Sequence, residues 1–336
     1  MQILLGFVAA ASSAPPAPAP PPAALSEAVG AALQANSRQA LASLDNVDVA
    51  ALSSRNQALV ICMRDRLNPA SEPAPASGRI TDRALAIYQH YWVAAMAHPD
   101  GRAEEEKRLA EALRNLLGAP ANADLDALEP LLAAELTKEG SFSQEGQTGF
   151  LRDLMIWSKQ DERLMAVALP EGKFKVKVEL LDGFKSFGWS SYATCGRAAT
   201  GGWTTDDALF AVVPRYSSLN DEGFTVSFLG HESQHFADKA HFKGLQSWEL
   251  EYRAKLTELA QANETRGKVL TKFIMDQGDD TGSPHSYANR RLLNDMTARL
   301  HLKSADELMT AAGPTVQTAA LALLSEDTQR RAGQRR

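Results

Sequence analysis

Residues 224–238 read FTVSFLGHESQHFAD, and the five at their centre, His231 to His235, constrain this chain more than any other stretch. On a helix, residues i and i+4 stand one above the other, so the two imidazoles face the same way and can share one metal ion. Zn²⁺ accepts neutral histidines at about 2.0–2.1 Å. Glu232, one residue after the first histidine, then lies beside the metal rather than on it. Its carboxylate can accept a proton from a metal-activated water there. The competing reading is a polar helix face that carries two histidines by accident. Val226, Phe228, Leu229 and Phe236 make this helix apolar, where unpaired histidines are costly.

Two histidines hold zinc poorly; a catalytic centre needs a third protein ligand and an open position for water. Downstream, after the loop Gly244-Leu245-Gln246, comes a second helix, SWELEYRAKLTELA. Its carboxylates Glu249 and Glu251 point to nearly opposite faces, so at most one of them is the ligand. Leu250, Ala254 and Leu256 to Leu259 mark the buried side. Glu251 precedes the small Ala254, which lets the second helix approach the first, so Glu251 is the preferred ligand and Glu249 the alternative.

His231-Glu-Ser-Gln-His235 followed by Glu251-Tyr-Arg-Ala254 resembles the gluzincins, zinc metallopeptidases in which a glutamate from a later helix joins the two histidines of HExxH. The resemblance spans roughly Lys173 to Arg291. It implies Zn²⁺ as cofactor, His231, His235 and Glu251 as ligands, and Glu232 as general base. The metzincin extension is absent, since Phe236, Ala237 and Asp238 follow the motif and His241 fits neither spacing nor loop. One position departs from the pattern. Lys255 stands four residues after Glu251, where thermolysin-like enzymes place an acidic partner for a ligating histidine; Asp238, Glu258, Asp206 and Asp207 are the candidates to replace it. Gluzincins also stabilise the developing oxyanion with a downstream His, Tyr or Arg. The segment Ser283 to Arg291, SPHSYANRR, offers His285, Tyr287, and Arg290 or Arg291 for that role; the plainer reading is a helix start with surface arginines. The Gly-, Ser- and aromatic-rich stretch Gly188 to Trp203 is expected to form a loop and edge strand bordering the substrate, or else a turn with Trp189 and Trp203 in the core.

The rest of the chain predicts the frame. Its 336 residues, 44% hydrophobic and 23% charged, suit a soluble globular protein with ample core, and a net charge of −6 excludes nucleic acid as an expected partner. The basic tail Arg330, Arg331, Arg335, Arg336 reads as a solvated helix end. MQILLGFVAAASSA resembles a signal peptide without a basic n-region, and the Pro/Ala tract Ala14 to Ala24 follows as a spacer. A periplasmic or secreted location is therefore expected, with the cytoplasm as alternative, and no segment is apolar for long enough to span a bilayer. Cys62 and Cys195, the only cysteines, exclude a disulfide framework; one bridge is open to an exported chain, while Cys62 in ALVICM reads more simply as a core residue.

From Leu25 to about Ala168 the apolar spacing is helical, as in Leu85, Tyr88, Trp92 and Met96 or in Arg102 to Leu117. A turn at Leu169-Pro170-Glu171-Gly172 changes the period. Phe174, Val176, Val178 and Leu180 alternate with charged residues as a half-buried strand, and Trp203 to Val213 reads as a second strand. Asn220 or Asp221 is the expected N-cap of the motif helix. The predicted fold class is α+β: a leader over residues 1–24, a helical domain over 25–168, a zincin-like catalytic domain over 169–300 with a small twisted sheet packed on the two ligand helices, and a C-terminal helical extension over 301–336. The expected function is zinc-dependent hydrolysis of a peptide or protein substrate. The competing class is a non-catalytic zincin-like protein whose site serves folding or partner binding.

Overall fold

The computed structural model describes residues 22–68, 78–205 and 207–333. The signal-like segment, most of the Pro/Ala tract, Asp206, and Arg335 and Arg336 of the basic tail lie outside the described residues. The architecture is α+β.

Helices come first: α1 (Ala23–Leu33), α2 (Ser37–Asp45), α3 (Ser54–Leu67), α4 (Ile80–Ala97), α5 (Arg102–Leu117) and α6 (Leu125–Lys138). Short polar side chains start several of them, because the first N–H groups of a helix lack partners within it. Asn36 Oδ1 accepts from the Gln39 N–H at 3.1 Å, and Asp124 Oδ1 from that of Ala127 at 3.0 Å. The helices bury Leu25, Leu44, Met63, Tyr88, Trp92, Met96 and Leu113 in one core.

The helical reading of 25–168 holds only as far as Lys138. Beyond it the chain is strand: β1 (Phe142–Thr148), β2 (Leu151–Trp157) and β3 (Lys159–Leu169). The physical reasons are separate for each. Gly149, at φ +58°, sits in the two-residue turn that joins β1 to β2 as an antiparallel hairpin. In β2, Leu151, Leu154 and Ile156 are buried against the N-terminal helices, and Trp92 Nε1 donates to the Arg152 carbonyl at 2.9 Å. β3, KQDERLMAVAL, is built of good helix formers, yet it pairs residue for residue with β4 (Gly172–Asp182). Tertiary pairing overrides local propensity there.

The remaining strands are β5 (Ser186–Phe187), β6 (Gly202–Thr204) and β7 (Leu209–Val212), with the short helix α7 (Trp189–Ala193) after β5. They complete a sheet of order β1-β2-β5 and a second of order β3-β4-β7-β6. Trp203 to Val213 is thus a hairpin of two short strands rather than one, with Trp203 opposite Phe210. β7 runs parallel to β4, and β6 is one edge of this sheet, with β3 at the other.

Asp221 then caps α8 (Glu222–Phe224), its Oδ1 accepting from the Phe224 N–H at 2.7 Å. The helix continues through a π-helical segment, Thr225–Gly230, into α9 (His231–His241). Phe224, Phe228, Leu229 and Ala237 pack on Val167, Val178, Leu180, Leu209 and Ala211 of the second sheet. On the far side lie α10 (Ser247–Gln261), α11 (Arg266–Met275), α12 (Pro284–Leu300) and α13 (Gly313–Gly333), with Leu256, Leu259, Phe273, Leu292, Met296 and Leu324 in a further core. The motif helix is therefore held between sheet and helices. Among the described residues, no helix is long and apolar enough to cross a membrane.

Cys62 on α3 and Cys195 after α7 form a disulfide with Cα atoms 6.2 Å apart and a sequence separation of 133. Cys62 is half-buried, so the reading of it as a plain core residue is corrected. A bridge across so long a loop removes much conformational freedom from the unfolded chain. The double variant Cys62→Ser/Cys195→Ser should lose about 2–4 kcal/mol in urea unfolding. A loss below about 1 kcal/mol would mean that packing alone holds α7 in place.

Candidate metal centre

His231 and His235 project from one face of α9 onto Glu251 of α10, and all three are nine-tenths buried. His231 Nε2 lies 3.6 Å from Glu251 Oε2, and His235 Nε2 3.3 Å from Oε1. One ligand atom from each residue lies within 4.8 Å of the others. Donors about 2.0–2.1 Å from a tetrahedral ion stand roughly 3.3–3.4 Å apart, close to the spacing of each histidine from the Glu251 carboxylate. The group can hold a metal. Both Nδ1 atoms are buried without a hydrogen-bond partner, and that of His231 has the Glu258 carboxylate 3.5 Å away.

Glu258 therefore takes up the place that the sequence leaves open at Lys255. Of the other candidates, Asp238 pairs with Arg253 and Asp207 is exposed. Lys255 turns its ammonium to Glu251 instead, at 3.5 Å. Burial pushes the Glu251 carboxyl up, but His231, His235 and His285 outweigh it and hold it well below the usual carboxylate range. Burial pushes the His231 imidazole down, and the Glu251 and Glu258 carboxylates, 3.6 and 3.5 Å away, reverse this and raise it to about 9.

Glu232 projects beside the cluster and accepts a hydrogen bond at Oε2 from the Thr204 hydroxyl at the end of β6. Glu232 also lines the cleft that opens over the cluster. The cleft has a volume of about 1180 Å³ and is bordered by Gly202, Trp203 and Thr204 of the edge strand, by Glu232, and by α10 and α11. Trp203 stacks on Phe210 at 5.2 Å, and Gly202 has no room for a side chain, since a Cβ there would meet the Phe210 carbonyl oxygen at 2.2 Å. Trp189, by contrast, sits in the N-terminal core.

Of the four downstream candidates the structure brings one to the centre. Pro284 begins α12, and His285 Nδ1 reaches to 2.9 Å from Glu251 Oε2. Tyr287 packs edge-on against Trp248 at 5.1 Å, and Arg290 pairs with Asp279; neither lines the cleft. Arg291 pairs with Asp295.

Sequence reasoning passed over Thr204 and Arg253. Arg253, fully buried, binds Glu171, Asp238 and Asp327 at 2.8–2.9 Å, and so ties α10 to the β3–β4 turn, α9 and α13. Gln234 joins the same network through Glu171 and Asp238, each at 2.9 Å, and accepts from Thr257 at 2.7 Å. The basic end of α13 is also less solvated than expected, because Arg331 reaches Glu249 at 3.0 Å and Asp327 at 2.6 Å.

Glu249 accordingly faces away from the centre and caps α10, accepting from the Gln246 N–H at 2.8 Å. Zinc titration of Glu251→Gln should show affinity reduced by more than about 100-fold, beyond the usual cost of losing a mere partner of a ligand. Glu249→Gln should bind zinc like the parent and lose about 1 kcal/mol of stability with its cap and ion pair. A larger zinc defect in the second variant would reverse the assignment.

No protein-family model matches this sequence, and no curated protein or solved structure matches it. The fold and the site thus define an α+β protein with a buried His-His-Glu cluster able to hold a metal.

Proposed function

We propose that this chain is a zinc-dependent hydrolase of the gluzincin type that cleaves peptide bonds. The observation that carries the reading is Glu232. A structural metal site has no use for an extra carboxylate held beside the ligands and open to a cleft, whereas hydrolysis requires one. When bound by His231, His235 and Glu251, zinc supplies Lewis acidity and makes water a nucleophile near neutral pH. Glu232 takes the proton of the attacking water on the oxygen left free by Thr204 and returns it to the leaving amine. The edge of β6 offers main-chain groups to an extended peptide, and Trp203 offers an apolar wall. His285, at the mouth beside Glu251, is the group placed to donate to the charge that develops on the carbonyl oxygen. The disulfide, together with the signal-like N-terminus, supports a periplasmic or secreted site of action.

The test is metal analysis of the purified chain alongside cleavage of a mixed peptide library. The chain should carry about one zinc, chelation should abolish cleavage, zinc should restore it, and His235→Ala should lose the metal. Full zinc occupancy in His235→Ala, or cleavage indifferent to chelator, would overturn the proposal.

A further inference from the structure

Three lysines line the α10–α11 wall of the cleft. Lys268 and Lys272, four residues apart on one face of α11, both line it with Val269 between them. They are exposed, and neither enters an ion pair among the described residues. Beneath them Lys255 also lines the cleft although its side chain is only 2% exposed, with Nζ 5.0 Å from the centre of the Phe273 ring. Lys272 acts electrostatically on both Lys255 and Glu258, so these groups share one field.

Four carboxylates share this end of the cleft with the three lysines, but three of the four are already held by other groups. Glu258 is engaged by His231, and Glu222 accepts from the N–H groups of Asn263 and Thr265 at 2.9 Å each. Glu264 is exposed at the rim. Glu251 offsets Lys255 in the bare protein, but a carboxylate that ligates a cation shares its charge with that ion and offers less to a neighbouring ammonium.

We propose that Lys255, Lys268 and Lys272 form a carboxylate-binding subsite of this cleft, and that its peptide carries a carboxylate at the C-terminus or on an acidic side chain. The inference rests on the peptide-cleft reading above and adds the substrate class. A buried lysine at the floor and two solvated ones above present several donors to one anion, and hydrogen bonds between charged partners are about twice as strong as neutral ones. Fixing the carboxylate against α10 and α11 sets the register of the peptide, and with it the bond that stands over Glu232.

The experiment separates the two sources of the carboxylate and does not depend on turnover. A randomised N-acetyl hexapeptide library, made half as free acid and half as C-terminal amide, is captured on the zinc-loaded Glu232→Gln chain and read by mass spectrometry. Enrichment of free acid over amide, or of Asp and Glu over Asn and Gln, should reach at least about 10-fold. In Lys268→Ala/Lys272→Ala on the same background the ratio should fall toward one. Both lysines are exposed on α11, and an unchanged melting temperature would show the fold intact. Equal capture of acid and neutral forms, a preference that survives the double substitution, or no capture at all would overturn the subsite. Failure of the peptidase reading shows elsewhere, as absence of zinc-dependent cleavage by the unsubstituted chain.

Discussion

Glutamine in place of Glu232 should leave zinc bound and lower peptide turnover by at least about 10²-fold, the usual scale for a general base. The amide keeps the length and nearly the shape of the carboxylate, and its oxygen can still accept from the Thr204 hydroxyl. None of the candidate ligand atoms is touched, since the group able to hold a metal is His231, His235 and Glu251. What disappears is the capacity to take a proton from water. The measurement is zinc content and peptide cleavage side by side, with chelator as control. Zinc retained and turnover lost is the expected pair. Equal turnover in both forms would mean that another group takes the proton, with His285, 2.9 Å from Glu251, as the candidate. A chain that cleaves nothing in either form would belong to the non-catalytic class, with the cluster serving folding or a partner.

Much of the centre was legible because its geometry is local. The i, i+4 spacing of His231 and His235 needs only a helix, and Glu251 needed only the contrast between the two faces of α10. The placement of His285 was legible too, because Pro284 fixes where α12 begins. Tyr287 and Arg290 share the same helix, but its rotation turns them to Trp248 and Asp279, and no local pattern states which face meets the cleft. Glu258 was one of four candidates; choosing it required knowing that His231 Nδ1 faces the last turn of α10, two turns beyond Glu251. The strands at 142–169 were misread for a related reason. Nothing in KQDERLMAVAL marks a strand until β4 is there to pair with it, and β1, FSQEGQT, is polar throughout its middle. The disulfide joins residues 133 apart, a proximity that only the packed N-terminal helices create.

The largest stability effect is expected at Arg253. Its side chain is fully buried and answers carboxylates from three separate elements, Glu171, Asp238 and Asp327. The partners are not equally exposed to its loss. Asp327 keeps Arg330 and Arg331, and Glu171 keeps Gln234 and Thr328. Asp238 is 1% exposed and has no other ion pair among the described residues, so it would be left as a buried charge held only by Gln234. Removing one partner of a buried pair costs about 3–5 kcal/mol, and Arg253→Met should lose that much in urea unfolding. Lysine should not rescue it, because a single ammonium cannot span the three carboxylates that the planar guanidinium reaches. The pH dependence gives a second, independent readout. Burial raises the Asp238 carboxyl above its ordinary value and Arg253 opposes the rise. A group that binds its proton more tightly folded than unfolded loses stability as pH climbs between the two values. Without Arg253 that interval widens upward, so the variant should weaken toward neutral pH more steeply than the parent. Arg253→Met/Asp238→Asn should recover part of the loss and flatten the slope. A loss below about 1 kcal/mol in Arg253→Met, or a double variant no better than the single, would show that the network contributes little and that the helix cores alone hold α9 and α10 together.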